Sequence, residues 1–541
     1  MSHLSLYAHH SNAAKPPGIR QLYFSKLLNI SGAPAAIVNA TSPSTQAQLT
    51  QYKHLYFRMI KSTPVKKPSN KPTEQQKQNS MSRRSFIGSS LVLGAAGMVG
   101  FPGAFDHTVQ PSQSQNLPPR GHYLIKNAYV LTMDATLGDL KQGDVLVRDG
   151  EIKQVGQSLS ATGAEVLAGE GMIVMPGLVD THWHLWTSLL RSMAGNTEGR
   201  GYFSVTRKVG QHYTPESMYA ATRLALAEAI HSGITTLHDW SHNARGPAFA
   251  EASIKALREA GIRGRYSLGV PTGEGGAVDL QLLEKLHSNW NKYASSNLHL
   301  GLAWAGINNR KETGLKELAK ARQLGIPVSV HASSAGVISG LVQASALAKG
   351  MQVIHCKDAT VNEIQSIADA GAVVSLSPFS ELRIGYGIPP VKELLDAGVT
   401  LGISADTTTL TGNADLFSVM KILLNLANAL NRSEFALTAK QALEKGTIEG
   451  ARSLGLADQT GSLTPGKRAD LIMLSTNALN LGYVTDPYSL VVEAAQPANV
   501  HTVMIDGRIL KRNHSLTHLN KDKILADAKT AFQLVIEKSG W

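Results

Sequence analysis

The chain has a single cysteine, Cys356, among 541 residues, which excludes an intramolecular disulfide. Its apolar run at 91–101 falls short of the ~20 residues that a membrane span needs. No Gly-x-Gly-x-x-Gly follows an early strand pattern, which counts against an open dinucleotide-binding sheet, the alternative fold. Acidic residues are nearly missing from residues 1–80, which hold ten Lys or Arg against Glu74 alone. Arg83 and Arg84 add two more positive charges, so most of the formal +12 lies before the body of the chain. The body itself is close to neutral, and no basic face for nucleic acid follows from the composition. Apolar residues at 43% and charged ones at 17% are ordinary for a globular protein.

What is present begins with a polar, Ser-, Pro-, Gln- and Lys-rich segment, 1–80, that reads as a disordered basic extension. Met81 then opens Ser82-Arg83-Arg84-Ser85-Phe86 ahead of the apolar run, a pattern that resembles a twin-arginine export signal over 81–106. Such signals stand at a chain start, so Met81 is the expected start and 1–80 an untranslated extension. The expected consequences are the twin-arginine machinery as partner and a periplasmic location, or a cytoplasmic one if the signal is silent. Export after folding suits a chain with one cysteine and a bound metal.

Two groups of alternating strands flank the centre. The first, within 121–176, carries Asp149-Gly150 between apolar runs; the second, within 456–515, carries Asp506-Gly507. Asp-Gly between alternating runs signals a tight hairpin. Neither group can bury a core alone, so the two ends are expected to pair into one small β-sandwich. Between them, over 177–455, strand-like runs alternate with helical stretches. The strands fall at 178–185, 234–240, 264–270, 298–305, 327–332, 352–356, 373–377 and 400–405. Eight such units predict an α/β protein with a closed (β/α)8 TIM barrel. Residues 521–538 have amphipathic helical spacing, and the C-terminal helix expected over 516–541 packs on the barrel or on a second copy in a homo-oligomer.

In a barrel of this kind chemistry sits where strands end. The first strand delivers His182 and His184, whose imidazoles share one face because alternate strand residues point the same way. His238 ends the second strand, His331 the fifth, His355 the sixth, and Asp406 follows the eighth. One buried histidine is usually just packed, but several at equivalent strand ends predict a metal site.

Three stretches carry a resemblance: Pro176-Gly177-Leu178-Val179-Asp180-Thr181-His182-Trp183-His184, Ser377-Pro378-Phe379-Ser380-Glu381-Leu382-Arg383-Ile384-Gly385, and Leu395-Asp396-Ala397-Gly398-Val399 running into Ser404-Ala405-Asp406. Over 121–515 the chain resembles the amidohydrolase superfamily, in its branch of cytosine-deaminase-like and triazine chlorohydrolase-like enzymes. The resemblance implies one divalent metal, Zn2+ or Fe2+, held by His182, His184, His331 and Asp406, with His355 beside the reacting oxygen. Binuclear relatives add a carboxylated lysine at the fourth strand; here that end is Trp304-Ala305-Gly306-Ile307, with no lysine. The implied chemistry is a metal-activated water, with Asp406 and His355 as the catalytic proton carriers.

One departure redirects the substrate. Deaminases of this branch carry a glutamate three residues after the fifth-strand histidine; after His331 that position is Ser334. A serine cannot shuttle protons near pH 7. The expected activity is therefore hydrolysis of a non-peptide C–N bond, such as an amide or carbamate, in a small cyclic or aromatic substrate. A deaminase or chlorohydrolase on a nitrogen heterocycle is the alternative, and a non-catalytic exported binding protein a further one. His238 and His242 are candidate substrate contacts or substitutes for the missing glutamate, unless they pack or cap. Trp304, with Trp183, Trp186 and Trp240, lines an aromatic pocket or the core, and Glu381 is a candidate partner for a substrate amine.

Overall fold

A computed structural model describes residues 117–273 and 275–541; the expected basic extension and export signal lie outside the described residues. Eight parallel strands form the barrel: β1 (Leu178–Trp183), β2 (Ile234–Ser241), β3 (Arg263–Gly269), β4 (Leu298–Trp304), β5 (Val328–His331), β6 (Gln352–Ile354), β7 (Val373–Leu376) and β8 (Leu401–Ile403). They pair in chain order. Helices such as Pro215–His231, Pro247–Ala260 and Lys311–Leu324 link them. Each strand falls within a residue of the apolar run that predicted it or ends earlier.

Closure happens at the catalytic lip. Asp406 bridges to Trp183, its N–H donating to the His182 carbonyl at 2.9 Å and its carbonyl accepting from His184 N–H at 2.7 Å. Asp180 staples the same seam, accepting from the backbone N–H of His182 and of Ala405. Asp406 itself has φ 56°, a left-handed conformation that Asp tolerates better than most side chains.

Both chain ends combine into a separate small β-domain, as expected, its nine strands hydrogen-bonded in one continuous sheet. Strand Met172–Pro176 pairs antiparallel with Leu471–Ser475 and so joins the two ends. The sheet curls around its own core of Ile125, Val145, Ile152, Val174, Leu471 and Met504. Both Asp-Gly turns adopt positive φ at each residue, 56° and 85° at Asp149-Gly150 and 54° and 69° at Asp506-Gly507, as a type I′ hairpin requires. The turns also touch: a Cβ on Gly507 would lie 2.5 Å from Gly150 Cα, so glycine is obligatory there.

The apolar run at 172–179 serves two sheets. Met172–Pro176 belongs to the curled sheet and β1 starts at Leu178, with the Pro-Gly step between them. The C-terminal helix Lys521–Ser539 packs on the barrel's first helical layer through Ala528, Ala531 and Val535, in one cluster with Trp186 and Met218.

Candidate active site

At the C-terminal end of the barrel, one ligand atom each from His182, His331, His355 and Asp406 lies within 4.8 Å of all the others. His182 Nε2 is 3.1 Å from Asp406 Oδ1 and 3.2 Å from His331 Nε2. His184 joins them, its Nε2 3.4 Å from Asp406 Oδ1. Its Nδ1 lies 2.9 Å from the Trp240 carbonyl; a hydrogen bond there puts the ring proton on Nδ1 and leaves the Nε2 lone pair facing the cluster.

Burial, followed by the like charge of neighbouring rings, holds His182, His184 and His331 well below the usual imidazole range. Neutral nitrogens and a carboxylate oxygen thus converge, all electron-pair donors. Ligands around an ion bound at ~2.0–2.1 Å sit about 3.3 Å apart in a tetrahedral set, and the separations here match. The chemistry of the donor set therefore fits a divalent metal. His182, His331, His355 and Asp406, with His184 beside Asp406, offer the donors from which such an ion would take its ligands.

His355 differs from the other rings. It sits at φ 74° after β6, and its Nδ1 donates to Glu381 Oε1 at 3.0 Å. Burial alone would lower its pKa, but the Glu381 hydrogen bond and the charges of Asp406 and Glu381 raise it instead. Glu381 also accepts from Ser377 N–H at 2.9 Å and is buried.

A cavity of about 660 Å³ opens over this cluster. Its walls include Tyr202, Arg207, Trp240, His242, Ser333 and Tyr386. His242 thus lies where a substrate contact was expected. It accepts a hydrogen bond from Trp186 Nε1 at 3.3 Å, and burial lowers its pKa to about 4.

Three expected contacts are not in the cavity wall. His238 points inward but one layer too deep, with Nε2 2.8 Å from Ser267 Oγ and Nδ1 3.0 Å from Gln352 Oε1, and burial lowers its pKa to about 3. Trp304 is fully buried on the outer face of β4, and its Nε1 donates to the Gly314 carbonyl at 3.0 Å. Glu381 supports His355 and does not face a substrate amine. Tyr202 and Tyr386 were not anticipated, since both lie off the strands; the Tyr202 hydroxyl pairs with Thr407 and the Tyr386 hydroxyl with Ser333. Ser334, at the position of the missing glutamate, is exposed and outside the wall.

The barrel with a histidine–aspartate cluster at its strand ends defines a class of metal-dependent hydrolases. The chain belongs to the amidohydrolase family, whose sequence pattern matches residues 173–510, and is a hydrolase of carbon–nitrogen bonds other than peptide bonds. It is 28% identical over 440 residues to 5'-deoxyadenosine deaminase of Methanosarcina acetivorans, covering 77% of this chain and 99% of the relative. It is 27% identical over 434 residues to 5-methylthioadenosine/S-adenosylhomocysteine deaminase of Acetivibrio thermocellus, covering 76% and 99%. Among solved structures, the fold is similar to a zinc-bound adenosine deaminase of Xanthomonas campestris, with TM-score 0.68, 24% identity, and coverage of 78% and 100%. It is also similar to the zinc complex of the atrazine chlorohydrolase TrzN of Arthrobacter aurescens, with TM-score 0.67, 22% identity, and coverage of 76% and 100%.

Proposed function

We propose that this enzyme hydrolyses an amide, carbamate or related C–N bond of a small cyclic or aromatic substrate, with one zinc ion held by His182, His184, His331 and Asp406. The observation that carries the reading is the composition of the cavity wall. Among the described residues lining it, Asp406 is the one carboxylate. Among the described residues of that wall no second acid stands ready to carry a proton to a ring nitrogen, as aminohydrolysis of a heterocycle requires.

When bound, the ion would supply a Lewis acid that brings the pKa of water toward neutrality and polarises a carbonyl. Asp406 accepts the proton released on attack, being the base that faces the cavity. His355 is kept more protonated than a free imidazole and donates a hydrogen bond to the developing oxyanion, then a proton to the departing nitrogen. Glu381 is the positioning residue that fixes which His355 nitrogen is free to do so. Trp240 and Tyr386 make the approach narrow and aromatic, which suits a flat substrate.

A second reading, deamination of a purine-type ring, is favoured by the names of the relatives that match 76–77% of the chain. A panel of cyclic amides, carbamates and 5'-deoxyadenosine at known zinc loading separates the two. The first reading expects turnover of an amide or carbamate and no ammonia from 5'-deoxyadenosine; rapid ammonia release there would replace it with the second.

Export by the twin-arginine pathway belongs to the same proposal, supported by Arg83-Arg84 and the apolar run that follows. Fractionation of cells carrying the wild-type chain or the Arg83→Lys/Arg84→Lys double variant tests it. Retention of the variant inside is expected, and equal distribution of both would refute it.

A further inference from the structure

The opposite, N-terminal end of the barrel holds a second cavity, of about 630 Å³. It lies between the lower ends of β3 and β4, the turns leading into β5 and β6, and the segment 452–459. Arg265, His299, Lys349 and Arg452 reach it, and no carboxylate lines it among the described residues.

Arg265 is the unusual member. It is 5% exposed, and its stem runs up against Gly301, where a Cβ would stand 2.8 Å from Arg265 Cδ. One guanidinium Nη donates to the Leu454 carbonyl at 2.6 Å, while the buried Nε has no partner. Arg263, two residues earlier on β3, shows what a compensated arginine looks like here: Asp470 takes its Nε and one Nη, and Gln459 takes the other. No acid does the same for Arg265. Burial is the sole influence on it and lowers its pKa to about 10. A buried charge left without a counter-charge costs several kcal/mol. Leu454, at the end of helix Ile448–Ser453, offers only the partial negative charge of a helix C-terminus. His299 Nε2 is likewise buried without a partner. His287, Ser453 and Gln459 add neutral polar groups to the wall, and Trp290, Leu324 and Pro327 give it an apolar side.

We propose that this cavity binds a small organic anion, its phosphate or carboxylate on Arg265 with Lys349 and Arg452, and its apolar part against Trp290. The guanidinium fork matches an oxyanion with two parallel hydrogen bonds, and Lys349 and Arg452 add charge at the mouth. The site is separate from the imidazole cluster and does not depend on the reaction carried out there.

Titration calorimetry on the full chain, at fixed ionic strength, tests this with phenyl phosphate, benzoate and inorganic phosphate as probes. Saturable binding is expected, and it survives stripping of the metal. Phenyl phosphate binds about tenfold tighter than inorganic phosphate if Trp290 takes the ring. Arg265→Met weakens binding about 100-fold, and the exposed double variant Lys349→Ala/Arg452→Ala about tenfold, without touching the barrel interior. Equal affinity for phenyl and inorganic phosphate keeps the oxyanion site and assigns free phosphate as its ligand. The proposal fails if none of the probes saturates, if binding disappears with the metal, or if the Lys349→Ala/Arg452→Ala variant binds as the wild type does.

Discussion

The two ends of the barrel are built from the same strands and hold opposite chemistry. At the C-terminal lip, burial and then the neighbouring rings hold His182, His184 and His331 neutral, so that with Asp406 they offer electron pairs. At the N-terminal end, Arg265, Lys349 and Arg452 present only donors. Low dielectric has opposite effects on the two. It makes the lip a better place for a cation, because three rings lose their protons, and leaves the base holding a positive charge that something anionic must answer. Asp470 gives that answer for Arg263 and nothing does for Arg265.

The largest effect expected at the lip comes from Asp406→Asn, which removes the one carboxylate among the described residues of the cavity wall and, with it, a proposed donor to the metal. Turnover should fall by about 10³-fold or more, with metal content by elemental analysis well below one per chain. Full metal content with normal turnover would mean that the cluster is structural only. At the base, Arg263→Met should be the most damaging change to stability. It strands Asp470, fully inside the joint between barrel and curled sheet, at a cost of about 3–5 kcal/mol, read as a drop in the denaturation midpoint. Turnover per folded molecule should hold, since the change lies at the far end.

Glu381→Gln is a finer test of the lip. It keeps the shape but removes the charge that raises the His355 pKa. A loss of about 10–100-fold in kcat is expected with metal retained, and the pH limb set by His355 should move to lower pH. Loss of activity with an unmoved limb would mark Glu381 as a packing residue only.

How much of this was legible in the sequence depends on what kind of information a strand carries. The period of two gives the face, and a polar residue after an apolar run gives the strand end; together they located His182, His184, His331, His355 and Asp406. Depth is not encoded. His238 and Trp240 share the inward face of β2, yet His238 lies a layer below the cavity against Ser267. Trp304 failed for a related reason: Gly301 and Ala303 are its inward neighbours on β4, which puts the indole outward. The Glu381 partnership joins two different strand ends, while Tyr202 opens the helix Tyr202–Gly210 and Tyr386 follows the helix Pro378–Arg383, so no strand period places either. That the two ends combine was legible, but the pairing of 172–176 with 471–475 that joins them is decided by long-range register, which neither segment shows alone.

Lys511 gives the smallest and most selective prediction, and it repeats the Arg265 problem in milder form. The side chain is fully buried, its Nζ donates to the His231 carbonyl at 2.6 Å, and burial lowers its pKa from the ordinary 10.5 to about 8. Because the folded chain gives up this proton more readily than the unfolded one, the penalty for burying the charge is complete below about pH 8. It fades as pH rises toward 10.5, so this group makes the protein more stable with rising pH across that window. The nearby imidazoles of His231 and His501 are held below their ordinary range and do not titrate there. Lys511→Met removes the charge and the hydrogen bond at every pH. Its stability relative to wild type should therefore be most favourable at pH 7 and decline by pH 9.5, by about 1–3 kcal/mol. Thermal melts of both proteins at the two pH values read this difference directly, and a gap that does not change with pH would show that the ammonium is satisfied where it lies.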